Sequence, residues 1–160
     1  MNGFCTSTEF GNLCAKYGIT PGSVDVSRIP VNPPKPKADM NKIRDFMTRY
    51  YRVILGRSPD EGGLNDWSNL LYNGRATAAE IVYGFVDSDE FKNRGYSNSD
   101  AVEILYNAML DRGSDADGKA GWVRLLEGGK TLKDVVNGFC VSVEFRGLCS
   151  QYGITPGSVK

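Results

Sequence analysis

Histidine is absent from all 160 residues. Its absence removes Ser-His and Cys-His nucleophilic systems and the commonest metal ligand. A zinc site would have to be built from cysteines and carboxylates alone. Charge of one sign is lacking too: Lys+Arg and Asp+Glu are 19 each. Such a chain has no positive field to hold nucleic acid or an anionic membrane, so neither is expected as a partner. No apolar run approaches the roughly 18 residues that a membrane-crossing helix needs, so no membrane insertion is expected. The opening MNGFCTSTEF has no basic region followed by an apolar stretch and does not read as a signal peptide, so export would rest on a signal outside this piece.

What is present is repetition. Residues 2–24 and 137–159 match at 17 of 23 positions, and both end in YGITPGSV. A fainter repeat lies inside that period. YRVILGRSPDEGGLNDW at 51–67 and YNAMLDRGSDADGKAGW at 106–122 share one pattern of Tyr, Leu, Arg, Asp, Gly and Trp. The matched residues are Tyr51, Arg57, Asp60, Gly63 and Trp67 in the first copy, and Tyr106, Arg112, Asp115, Gly118 and Trp122 in the second. Farther on, Gly84-Phe85 matches Gly138-Phe139, and Ser88, Glu90 and Phe91 match Ser142, Glu144 and Phe145. The organisation expected is a partial repeat at 1–24, a linker at 25–40 with prolines at 30, 33, 34 and 36, a first module at 41–97, and a second at 98–160 whose repeat motif ends near 152. Residues 1–24 then read as the C-terminal fragment of a preceding module, as in one period of a longer tandem array, with the alternative that the two ends are equivalent caps of one domain.

The fold expected is all-α, with four short helices in each module of about 55 residues. Ile43, Phe46, Met47, Tyr50 and Ile54 fall on one helical face. Ser58-Pro59-Asp60-Glu61 reads as a helix start, Thr77 to Glu80 as a capping box, and Thr131 to Asp134 as its counterpart. Gly74 and Gly128-Gly129 read as stops, Ser88 and Ser142 as caps of short helices. No segment alternates long enough to suggest a strand.

The stretches LGRSPDEGGLNDW and GFVDSDEF resemble the DUF4214 family, short helical repeats of bacterial surface and secreted proteins. The resemblance covers about 41–152 and the partial copy at 1–24. A fainter likeness is to phycobilisome linker domains. The second module departs from the family pattern, with Asp111 for Gly and Ser114 for Pro. The resemblance implies an extracellular or cell-surface setting, but no activity, cofactor or ligand.

The candidate chemistry reads mostly as structure. The loops around Gly63 and Gly118 fail a calcium-loop test, because position 12 would be Asn69 or Arg124. Asp60 and Asp115 read instead as acids at helix starts. Arg57 and Arg112 precede them by three residues and are expected to bridge to them. Trp67 and Trp122 are expected in the core beside Leu70-Leu71 and Leu125-Leu126, with sugar stacking as the alternative. No catalytic residue, metal site or cofactor is expected. The cysteines are expected to pair locally, Cys5 with Cys14 and Cys140 with Cys149, since two module tails carry both and the third has Val86 and Gly95 instead, with four buried free thiols as the alternative. Nine residues of straight helix span about 13–14 Å, against the roughly 7 Å that a disulfide allows, so the chain must break near Cys140. The functional expectation is a non-enzymatic extracellular spacer or interaction module, with a protein or a cell-surface glycan as its partner. The alternative is a carbohydrate- or cell-wall-binding module.

Overall fold

The computed structural model describes residues 38–160. The partial repeat, with Cys5 and Cys14, and the prolines of the linker lie outside that range. Among the described residues all regular structure is helical, and each module supplies four helices.

The first module holds α1 (Met40–Leu55), α2 (Glu61–Tyr72), α3 (Ala78–Val86) and α4 (Asp89–Lys92). Its expected apolar face is buried: Ile43, Phe46, Met47, Tyr50 and Ile54 are sealed from solvent. Gly56 ends α1 in the left-handed conformation, at φ 61°. The start of α2 corrects the sequence reading. The cap is Asp60, and the first helical residue is Glu61 rather than Pro59. The Asp60 carboxylate accepts from the Gly63 N–H at 2.8 Å, so the charged acceptor takes the capping role that Ser58 was expected to hold.

The second module holds α5 (Asn98–Leu105), which runs on as a π-helical turn over Tyr106–Leu110, then α6 (Ala116–Glu127), α7 (Leu132–Cys140) and α8 (Val143–Tyr152). Asp111 closes the π-helical turn at φ 55°, where the first module has Gly56. Aspartate is among the few side chains that accept this conformation. Arg49 of α1 reaches the turn's loosened carbonyls, donating to Asn107 O at 2.9 Å and Ala108 O at 2.7 Å, with Asp111 at 3.1 Å. A cation at a helix C-terminus is favourably placed, and this one ties the modules together.

Equivalent helices of the two modules pack on each other, α1 on the π-helical turn and α3 on α7. That is the self-complementary pattern of a two-fold pair. Both α3 and α7 begin with complete capping boxes, Thr77 with Glu80 and Thr131 with Asp134.

Residues 153–160 then cross back onto the first module. Ala78 N–H donates to Thr155 O at 2.8 Å and Ala79 N–H to Pro156 O at 3.0 Å, which satisfies two of the orphan donors at the start of α3. Asn137 of α7 holds Val159 from both sides, accepting its N–H at 2.8 Å and donating to its carbonyl at 3.0 Å. Ile154 is buried. Gly157 sits at φ +67°, and a Cβ there would lie 2.2 Å from the Thr77 Cβ, so only glycine lets the tail pass.

The chain breaks near Cys140 as expected, with α8 capped by Ser142. The Cys140–Cys149 bridge is nonetheless not formed: both are free thiols. Both are buried in the apolar core, where a thiol packs as a small hydrophobe. Burial pushes Cys140 up to about 11 and is the main cause that pushes Cys149 up to about 12. Little of the attacking thiolate is therefore present at neutral pH.

Candidate functional site

The residues shared by the two motifs converge on one constellation, built twice. Tyr51 comes from α1, Asp60 and Trp67 from the start and body of α2, Phe85 from α3, and Glu90 from α4. The second copy uses Tyr106, Asp115, Trp122, Phe139 and Glu144.

Arg57 sits at the centre of the first copy, on the turn between α1 and α2. Its guanidinium meets the Glu90 carboxylate with two bonds, Nε to Oε1 at 2.7 Å and Nη2 to Oε2 at 2.9 Å. Arg112 repeats this on Glu144 at 2.8 and 3.2 Å. Each arginine also lies over its tyrosine ring, at 5.0 Å from Tyr51 and 5.3 Å from Tyr106. The expected Arg–Asp bridge is thereby demoted. Asp60 and Asp115 stand at 3.7 and 3.8 Å, because their carboxylates are turned to the backbone N–H groups of Gly63 and Gly118. The arginine's main partner escaped the sequence reading, although Glu90 and Glu144 are themselves a repeated pair and carried the signal.

The charges hold one another in the ionised state. The Arg57 side chain is the first cause that lowers the Glu90 pKa, and Arg112 does the same to Glu144. Asp60 and Asp115 are lowered chiefly by the backbone N–H groups they cap. Tyr51 and Tyr106 are raised, first by burial and next by those same aspartates. Every titratable member of the constellation is thus pushed away from neutrality, and none is poised for proton transfer near pH 7.

The aromatic members pack against each other. Tyr51 meets Phe85 edge-on at 4.9 Å, and Tyr106 meets Phe139 at 4.8 Å. Trp67 and Trp122 lie 5.7 and 5.3 Å from the same phenylalanines. Both tryptophans are half-buried against the core. Of the leucines after them, Leu71 is buried and its equivalent Leu126 half-buried, whereas Leu125, the equivalent of half-buried Leu70, is 46% exposed, against the expectation of one buried face.

Two glycines per module admit these rings. A Cβ on Gly63 would fall 2.4 Å from the Tyr51 hydroxyl oxygen, and one on Gly118 2.3 Å from that of Tyr106. A Cβ on Gly84 would meet Trp67 at 3.3 Å, and one on Gly138 would meet Trp122 at 2.2 Å. The motif glycines are therefore places where a helix backbone receives a ring.

A small pocket of about 160 Å³ opens beside Tyr51, Arg57, Trp67 and Glu90. A larger cavity, of about 400 Å³, lies at the seam between the modules, with Thr131, Leu132 and Lys133 on one wall and Tyr83, Phe91 and Tyr96 on the other. Among the described residues no group of three or more acidic or cysteine side chains is placed to hold a metal ion. No helix of the described residues is long and apolar enough to cross a membrane.

A repeated scaffold with this spacing is also what the family comparison finds. The family model "Domain of unknown function (DUF4214)" matches twice, over residues 37–95 and 88–149. The chain belongs to the DUF4214 family. The two matches share residues 88–95, which contain α4 and its Ser88 cap, and the second stops short of the 153–160 tail. No curated protein and no solved structure matches the chain. The tyrosine, arginine, glycine and tryptophan positions of this DUF4214 pair thus serve to join its own helices.

Proposed function

We propose that the chain is a non-enzymatic, extracellular helical repeat module, a spacer or interaction unit of a larger bacterial surface or secreted protein. The observation that carries this reading is the duplicated constellation. In both modules the side chains with most chemical potential are engaged with one another. Each arginine is taken up by a two-bond carboxylate pair and a ring face, each aspartate by a helix start, and each tryptophan by a phenylalanine. Half-burial of both tryptophans favours this reading over a carbohydrate-binding one.

The test is protease shaving of intact cells that make the parent protein. Peptides from residues 40–160 should be released without lysis. Their appearance only after lysis would refute the extracellular placement. A screen of immobilised glycans on the same chain should give no binding that depends on Trp67 or Trp122. Glycan binding lost on Trp67→Ala, with the fold intact, would overturn the choice between the two readings.

A further inference from the structure

The start of α3 is occupied by a peptide, and the start of α7 is its repeat equivalent. Thr131, Leu132 and Lys133 correspond to Thr77, Ala78 and Ala79, and the two capping boxes are built alike. At α3, the carbonyls of Thr155 and Pro156 accept from the first two helical N–H groups. At α7, no described residue accepts from the N–H of Leu132 or Lys133, and these residues instead line the cavity of about 400 Å³. The correspondence extends to the opposite wall. Asn137, which grips Val159, is matched in the first module by Tyr83, and Tyr83 lines this same cavity. The rest of the lining combines Phe91 and Tyr96, whose rings meet tilted at 5.2 Å, with Val86, Ala101 and the Asp87–Lys92 ion pair. Donors at a helix start, a polar group opposite and aromatic side chains within a mixed lining suit an extended Ile-Thr-Pro segment of the kind docked on α3.

The sequence holds a second such segment. Residues 17–24, YGITPGSV, are identical to 152–159. We infer that the cavity at the start of α7 is a second tail dock, and that its occupant is the 17–24 segment of a second copy of this chain. The carbonyls of Thr20 and Pro21 would accept from Leu132 and Lys133. Gly22 would pass Thr131 as Gly157 passes Thr77, and Ile19 would reach the aromatic wall. The docked 153–159 tail stays in place, so copies join by adding contacts rather than exchanging them. This names a partner for the interaction unit proposed above and rests on that reading. The two fail separately, since the titration below can fail while shaving of cells still succeeds.

The experiment uses the full chain carrying Gly22→Val, isotope-labelled, so that its own 17–24 segment does not compete. A synthetic peptide of residues 17–25 is titrated in to millimolar levels, so that a site with a Kd as weak as about 1 mM is still read. The Leu132 and Lys133 amides should shift saturably, while those of Ala78 and Ala79 stay fixed. The same peptide with Gly22→Val should bind at least about tenfold more weakly. In light scattering, the wild-type chain should associate with rising concentration and the Gly22→Val chain should not. The proposal is overturned if Leu132 and Lys133 do not respond, or if Ala78 and Ala79 respond in their place. It is equally overturned if the wild-type chain stays monomeric while its variant takes up the peptide, because the segment would then be held within one chain.

Discussion

Replacing Gly118 by alanine tests whether the motif glycine exists to admit a tyrosine. Alone, the substitution should favour α6, since alanine exceeds glycine in a helix interior by up to about 1 kcal/mol. The space is already taken: the added Cβ would sit 2.3 Å from the Tyr106 hydroxyl oxygen and 2.9 Å from both Asp115 carboxylate oxygens. Tyr106 is buried and held edge-on against Phe139, so it cannot swing away freely. Overpacking of this kind costs about 1–3 kcal/mol, so a net loss of about 1–2 kcal/mol is expected for Gly118→Ala. Tyr106→Phe alone should cost about 0.5–1.5 kcal/mol for the lost hydroxyl interaction. In the double variant the hydroxyl is gone and the worst clash with it, so the two losses should fall short of their sum by at least about 1 kcal/mol. Urea unfolding followed by circular dichroism measures all four corners of the cycle. Additivity within about 0.3–0.5 kcal/mol would refute the assignment. The first module supplies an internal check. There the Asp60 oxygens stand farther off, at 3.2 and 3.3 Å, so Tyr51→Phe should rescue Gly63→Ala more completely.

Three further outcomes are expected. Gly157→Val should detach the tail, because its Cβ would meet Thr77 and φ is +67° there. Amide exchange at Ala78 and Ala79 should then accelerate, and unchanged protection would show that the tail does not cap α3. Acid should destabilise the fold in a defined window. Glu103 is lowered from the ordinary 4.5 to about 2, first by the Ser114 hydroxyl and next by Lys119. Its folded pKa lies below its unfolded one, so its contribution is complete above about pH 4.5 and is lost as the pH falls toward 2. Glu103→Gln should flatten the melting-temperature slope in that window, and an unchanged slope would discount the site. Finally, the rise of the Cys140 pKa from 9.0 to about 11 should slow its alkylation near pH 8 about a hundredfold relative to the urea-unfolded chain. Equal rates would mean that the thiol is not held in the core.

Much of this architecture is local, and local order is written in spacing. The buried face of α1, the Thr77 and Thr131 capping boxes and the Ser142 cap follow from residues within a turn or two of one another. Period and capping act over a few residues, so they survive translation into structure unchanged. Even locally a competition can go the other way: Asp60 and Ser58 both could cap α2, and the charged acceptor won.

Pairings across the fold were decided by tertiary structure. Arg57 has acidic residues three positions away and 33 positions away, and only the packing of α4 against α1 puts Glu90 in two-bond geometry. Arg49 finds its carbonyls 58 and 59 residues on because the modules pair face to face. The tail's place on α3 depends on the same pairing, which brings residue 155 to residue 78. For Cys140 and Cys149 the sequence alone determined the helix break between them, but burial in the shared core decided that both stand as neutral free thiols. A sequence states which groups need partners and what they can reach nearby. Which of several adequate partners each one takes depends on how whole elements pack, a choice made by apolar burial summed over the core and not by any one pair.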